Sequence, residues 1–329
     1  MPSEPRAILI IDSADFGTSL ALLPAMRAVR SRYENSFIAA ASSTGICELI
    51  GAESLANDLV DLGLIDSSTH TSTRALKRFI RLIRTAKRMR FDLVLDFSPR
   101  SETRIARWLG AWPRTITPSH PLDLLERLAG RLPSGVPSSG SRYKQMLGQL
   151  GIRCDFDQPM LRPLREESDK FEKLLERGSR DSAPLLALFS AEARKPGAWP
   201  IQRFGETAHR LSSNYGVRVV AIDAPYDKSF TSRVSEILPG GSISLKTPRA
   251  AQIVAVLARA SLLVTDDPGL ARAAASMGTP AIELSNTNGP RDSGIHRIIA
   301  GSSANAVDRL CDAAAELLRQ SRTATLFSL

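Results

Sequence analysis

The stretch that decides the fold runs from Leu262 to Pro290, LLVTDDPGLARAAASMGTPAIELSNTNGP. Leu262, Leu263 and Val264 form a short apolar run, the composition of a strand buried on both faces of a parallel sheet. Asp266-Asp267-Pro268-Gly269 stops that strand. Pro268 and Gly269 are turn formers, and Asp267 stands where it can cap the following helix. Leu270 to Met277 is alanine-rich and helix-prone. Gly278 ends the helix as a C-cap, Thr279-Pro280 turns the chain, and Ala281 to Leu284 begins another strand. Strand, acidic glycine loop and helix N-terminus is an order by which α/β folds bind phosphates, because free backbone N–H groups and the helix dipole face the ligand. An ordinary βαβ turn without a ligand has the same order.

Outward from this unit the pattern repeats. Upstream in the second half, Pro184 to Ser190 (PLLALFS) and Val217 to Ile222 read as strands, with a helix over Phe204 to Leu211 between them. Ala304 to Arg319 reads as a terminal helix. The first half opens with Ala7 to Ile11 (AILII) as a buried strand, then a loop over Asp12 to Ser19 and an amphipathic helix from Leu20 to Arg32. Further strands are expected at Phe37 to Ala41, Leu59 to Ile65, Phe91 to Phe97 and near Arg114 to Thr117. Helices are expected at Gly45 to Gly51 and Tyr143 to Leu150. Strands alternating with helices throughout imply parallel sheets and an α/β class. Length favours two domains. We place them at residues 1–155 and 183–329, with a linker region at 156–182 that holds Pro159, Pro163 and a helix over Glu166 to Arg177.

The run D-P-G-L-A-R-A-A-A-S-M-G-T-P resembles the signature of the ADP-heptose:lipopolysaccharide heptosyltransferases, glycosyltransferase family nine. Asp267, Gly269, Gly278, Thr279 and Pro280 fit that signature, while Pro268 and Arg272 stand in place of the family's Ser/Thr and His. Leu23-Pro24-Ala25 matches a tripeptide of the family's first helix, and Trp199-Pro200 matches the Trp-Pro that opens a later one. Phe91-Asp92-Leu93-Val94-Leu95-Asp96 is similar to the family's Phe/Tyr-Asp-Leu-Val-Ile-Asp. The resemblance implies a GT-B-like architecture, two Rossmann-like domains with mainly parallel sheets facing across a cleft. It implies inverting, metal-independent transfer of a heptose-like sugar from a nucleotide diphosphate to lipopolysaccharide or another glycan.

Carried over by position, the resemblance names the site residues. Gly17 falls on the family's Gly, and Thr18 falls on the Asp used there as general base. Asp15 and Asp12 are carboxylates of the same loop that can substitute, and Asp15 is the catalytic candidate. The donor-binding candidates are Thr18, Lys195, Asp227, Asp267, Gly269, Leu270 and Arg272. Asp227 stands where the family has an acid for the ribose hydroxyls. Lys195 and Arg194 carry charge that the family places closer to Trp199. Arg272 offers a permanent charge and a planar fork of donors to phosphate. The loss of the family's base also leaves a second reading open, a non-catalytic GT-B-like protein that binds a nucleotide sugar or a partner enzyme.

Charge narrows the partners. The chain carries 43 Lys and Arg against 34 Asp and Glu, a net +9, which suits anionic ligands such as a phosphorylated glycolipid. Arg74 to Arg90 (RALKRFIRLIRTAKRMR) has no acid. Its Leu76, Phe79, Ile80, Ile83 and Ala86 recur at helical spacing, so a basic face is available for an anionic membrane. Nucleic acid is a weaker reading, since no recognition module is present. Three cysteines without CxxC spacing and four scattered histidines give neither a disulfide framework nor a metal site. No P-loop and no G-x-S-x-G elbow occurs, and no cofactor is implied beyond the donor, ADP-heptose or a related nucleotide sugar. No apolar run reaches the ~18 residues of a membrane span, so a cytoplasmic protein, peripheral on the inner membrane face, is expected.

Overall fold

The structure is a computed structural model. It describes residues 4–12, 14, 16–62, 90–97, 115–116, 139–154, 161–176, 183–190, 199–224, 229–285, 296–300 and 305–326. The chain divides into two compact units, Met1–Asp157 and Gln158–Leu329. The basic segment at residues 74–90 lies outside the described residues apart from Arg90.

The first unit contains β1 (Ala7–Ile11), α1 (Phe16–Ser19), α2 (Leu22–Arg32), β2 (Phe37–Ser42), α3 (Thr44–Ala52), β3 (Asp58–Asp61), β4 (Leu93–Asp96), β5 (Thr115–Ile116) and α4 (Ser139–Gly148). Its sheet has the order β3-β2-β1-β4-β5, and every pairing is parallel. Ile8, Leu9, Ile10 and Ile11 are fully buried, as a central strand covered on both faces requires. The helix expected over Leu20 to Arg32 is present as α2, and the stretch read as a loop before it holds the short α1. A turn at Leu20-Ala21 separates α1 from α2, and Pro24 sits in the first turn of α2, where its missing N–H costs nothing.

The second unit contains α5 (Arg165–Glu176), β6 (Leu185–Ser190), α6 (Ile201–Tyr215), β7 (Arg218–Asp223), α7 (Phe230–Val234), β8 (Ile243–Leu245), α8 (Ala250–Arg259), β9 (Leu262–Thr265), α9 (Pro268–Ser276), β10 (Ala281–Ser285), β11 (His296–Ala300) and α10 (Ala306–Leu326). Its sheet runs β11-β10-β9-β6-β7-β8, again parallel throughout. One face carries Leu186, Leu188, Val219, Ala221, Leu262, Val264, Ile282 and Leu284 against Phe204, Ala208 and Leu211 of α6 and Leu310, Ala314 and Leu317 of α10. Each Val, Leu, Ile or Phe among these contributes roughly 1.5–3 kcal/mol on burial. Gly205 lets α6 approach Ile237, because a Cβ there would lie 2.8 Å from the Ile237 carbonyl oxygen.

Further features depart from the sequence reading, the short strand β8 among them. Strand β11 was not expected, and it extends the sheet beyond β10. The residues read as linker supply α5, which packs on α8. Glu167 of α5 is 4% exposed and pairs with Arg249 and Lys170. Burial pushes its carboxyl pKa up, but hydrogen bonds from Lys170 and Arg249 outweigh burial and hold it below the ordinary value. The helix is therefore part of the second unit.

Candidate functional site

In an open parallel sheet the strand ends splay apart where the strand order reverses, and ligands bind there, beyond the carboxyl ends. In the second unit that point lies between β6 and β9. In the first it lies between β1 and β4.

At the β6–β9 point the chain sets two successive aspartates to different tasks. Asp267 is 4% exposed and caps α9. Its Oδ1 accepts from the Gly269 N–H at 2.8 Å and the Leu270 N–H at 2.9 Å. Its own N–H donates to Thr265 Oγ1 at 3.0 Å. Pro268 has no N–H, and Ala271 N–H already donates to the Asp267 carbonyl at 3.0 Å. The amides expected to cradle a phosphate, those of Gly269 and Leu270, are thus occupied by the carboxylate that precedes them. What α9 offers an anion is its dipole and Arg272. That side chain is partly buried and makes no hydrogen bond or ion pair among the described residues. Gly278 ends α9 with φ of 86°, a conformation that favours glycine.

Asp266 is the second aspartate. It is partly exposed, and its Oδ2 accepts from Ser190 Oγ at 2.6 Å, a short charge-assisted bond. Ser190 is the last residue of β6 and is fully buried. The pair thus bridges the diverging strands. Lys195, five residues beyond Ser190, and Asp227, four beyond Asp223, lie outside the described residues. Asp223 is fully buried and accepts from the Thr231 N–H at 2.9 Å and the Thr247 N–H at 3.4 Å, so it organises the turn after β7. Trp199, 5% exposed, lies edge-on to Phe204 with centroids 6.4 Å apart, and the Arg203 guanidinium covers its ring at 5.3 Å. Its sequence signal therefore marks an anchor for α6.

The β1–β4 point is built differently. Asp12 and Asp96 end the two strands and are both buried. Asp12 Oδ2 accepts from Tyr143 Oη–H at 3.0 Å, and Oδ1 accepts from the Ala14 N–H at 3.3 Å. Tyr143 is 1% exposed and lies edge-on to Phe97 at 4.5 Å. The Asp12 carboxylate is fully buried and held by two donors, the setting of a structural group. Thr18 sits in α1, partly buried. Asp15 lies outside the described residues. Among the described residues no group of three His, Cys, Asp or Glu could hold a metal ion.

Two parallel Rossmann-like units of this kind define an α/β protein of the GT-B-like class, with glycosyltransferases among its structural neighbours. Residues 141–294 match the model of glycosyltransferase family 9 (heptosyltransferase), in line with the resemblance read from the sequence. A glycosyl transferase family 9 structure from Veillonella parvula DSM 2008 superposes with a TM-score of 0.72 at 18% identity, covering 96% of this chain and 97% of that one. The E. coli ADP-heptose LPS heptosyltransferase II gives a TM-score of 0.65 at 16% identity, covering 96% and 99%. An E. coli heptosyltransferase with ADP-2-deoxy-2-fluoro heptose gives 0.61 at 15%, covering 93% and 99%. At these identities the likeness carries the fold. No curated protein matches the sequence. No described helix is long and apolar enough to cross a membrane.

The structure brings Asp267, Gly269, Leu270 and Arg272 together on one helix start, as the sequence reading has them. The pairing of Ser190 with Asp266, and of Tyr143 with Asp12, is not readable from the sequence. Ser190 and Asp266 are 76 residues apart, and Asp12 and Tyr143 are 131 apart. Strand order brings the first pair together, and the packing of α4 in the first unit brings the second.

Proposed function

We propose that this protein is a glycosyltransferase that moves a heptose-like sugar from a nucleotide diphosphate donor, ADP-heptose or a close relative, to lipopolysaccharide or another anionic glycan acceptor. The observation that carries the reading is the match to the heptosyltransferase-family model over residues 141–294, which include the β9–α9 turn with Arg272 unpaired among the described residues. A departing diphosphate needs positive charge, and a protein that supplies it from side chains and a helix dipole needs no metal. Arg272 supplies a fixed charge with two parallel donors. Lys195 is proposed as a second cation, and Asp227 as the acid for the ribose hydroxyls. The amides of Gly269 and Leu270 serve indirectly, by fixing Asp267 and hence the start of α9. With Thr18 at the family's base position, Asp15 is proposed to take the acceptor's proton.

A non-catalytic nucleotide-sugar-binding protein is the second reading, and the Thr18 substitution favours it. Transfer of sugar from a panel of nucleotide diphosphate sugars, ADP-heptose included, to heptose-deficient lipopolysaccharide separates the two. Product with any donor supports the enzyme. Saturable donor binding without product, with activity gained in Thr18→Asp, supports the binding protein. The basic segment at 74–90 is proposed to meet the anionic membrane surface that bears such an acceptor.

A further inference from the structure

We propose that Asp12 and Tyr143 are positioning residues for sugar transfer, a buried pair that holds the loop from which Asp15 takes the acceptor's proton. This rests on the enzyme reading above, with Asp15 as its base. Strand β1 does not need the Asp12 side chain, because the backbone already completes the strand's end. Asp12 N–H donates to the Ala41 carbonyl at 2.9 Å, and Phe97 N–H donates to the Ile11 carbonyl at 2.9 Å. Burying a carboxylate costs free energy unless donors meet it, and here two do. Oδ1 accepts from the Ala14 N–H at 3.3 Å, which pins the chain just past the strand. Oδ2 accepts from Tyr143 Oη–H at 3.0 Å. In the chain, Asp15 comes between Ala14 and Phe16, and Phe16 opens α1 and is 3% exposed.

Tyr143 reaches this point from α4 and joins both sides of it. Its ring lies edge-on to Phe97, which follows β4, at 4.5 Å, and its hydroxyl meets Asp12, which follows β1. Helix α4 packs in turn on α2. The pair therefore ties the start of the loop to the helical layer as well as to the strand. A general base must lie within about 3 Å of the proton it takes, and a displacement of about 1 Å can cost roughly 10²-fold in rate. Backbone held before Asp15 by Asp12, and after it by the buried start of α1, meets that requirement. Asp12 is thus assigned to hold the loop, and Tyr143 to hold Asp12.

The test uses the full chain, heptose-deficient lipopolysaccharide, and the nucleotide sugar of an ADP- and UDP-sugar panel that the parent uses best. The matching nucleoside diphosphate is the binding probe. Tyr143→Phe removes one hydroxyl and keeps the ring. It is expected to slow transfer roughly 10–100-fold and to keep affinity for the probe within about twofold. Hydrogen exchange of the amides of residues 13–18 is expected to quicken more than that of the rest of the first unit. Asp12→Ala, which loses both bonds, is expected to slow transfer at least as much. Asp12→Asn keeps a carbonyl oxygen for the Ala14 N–H and offers an N–H to Tyr143 Oη, so it is expected to recover most of that loss, to within about fivefold of the parent. The two Asp12 variants decide the matter if Tyr143→Phe does not fold. A Tyr143→Phe protein with a lower Tm whose folded form transfers at the parent's rate overturns the inference. So does equal loss in Asp12→Asn and Asp12→Ala, or unchanged exchange in the loop. Each of these leaves the enzyme reading standing. If the parent transfers sugar from no donor of the panel, the enzyme reading itself has failed, and the inference with it.

Discussion

The two sheets reverse strand order in the same way, yet their reversal points carry opposite chemistry. Between β1 and β4, Asp12 is fully buried under Tyr143 and bonded to Ala14 N–H, and its carboxylate is spent on structure. Between β6 and β9, Asp266 is partly exposed and steered by Ser190, while its neighbour Asp267 takes over the structural work of capping α9. A carboxylate at a strand's end is therefore not a site by position alone. What donates to it, and whether solvent reaches it, decides the matter. By that criterion Asp12 is a structural carboxylate, and in the second unit the cap Asp267 and the partly exposed Asp266 sit in different settings although adjacent.

The comparison breaks most visibly in turnover. If Asp15 is the base, Asp15→Asn lowers the rate of sugar transfer by roughly 10²–10⁴-fold while donor affinity is kept. A variant as active as the parent would move the base elsewhere in the first unit. Next in size is the capping contrast. Asp267→Ala is expected to cost about 1 kcal/mol in chemical denaturation, whereas Asp267→Asn, which retains a capping oxygen, costs little. Equal losses in both would mean that the negative charge, and not the cap, matters at that position. Smaller again is the effect of α5. Because Glu167 is held below its ordinary pKa, its pairing stabilises the fold above the unfolded carboxylate range and is lost as pH falls through the folded value. Glu167→Gln should accordingly lower Tm by about 2–4 °C at pH 7, with the difference closing below about pH 4. A pH-independent difference would contradict the ion-pair account. Smallest is the proposed membrane term, in which each basic residue of 74–90 that meets an anionic surface is expected to add about 1 kcal/mol, weakening with salt. Co-sedimentation with neutral and anionic vesicles measures it, and equal binding to both would remove it.

The parts of this fold that were legible in the sequence are those written in local chemistry. Apolar runs such as AILII and LLALFS declare buried strands, and Asp267, Pro268 and Gly278 punctuate α9 at its two ends. Strand β11 was not legible. It is five residues long, and His296 and Arg297 interrupt its apolar character. His296 is buried because its Nε2 lies 3.0 Å from Glu283 of β10, a partner that only sheet pairing supplies. Helix α5 is legible as a helix over Glu166 to Arg177 but its place in the fold is not, since Glu167 turns inward to Arg249, 82 residues away. The site divides along the same line. The helix start at Asp267 and Arg272 was visible as a motif, but its occupied amides were not, because Asp267 can cap a helix or leave the amides to a ligand with the same sequence. Ser190 with Asp266 is a product of strand order, Asp12 with Tyr143 of the packing of α4, and neither carries a local signature.

The central claim is that the second unit holds a nucleotide diphosphate through Arg272, the cation of α9 left unpaired among the described residues. Titration calorimetry of the parent and Arg272→Ala with ADP and ADP-heptose tests it most directly. The account predicts saturable binding to the parent and a loss of roughly 1–3 kcal/mol in the variant, the range for a charge-assisted contact, with an unchanged Tm. Nucleotide affinity that is the same in both proteins would contradict it.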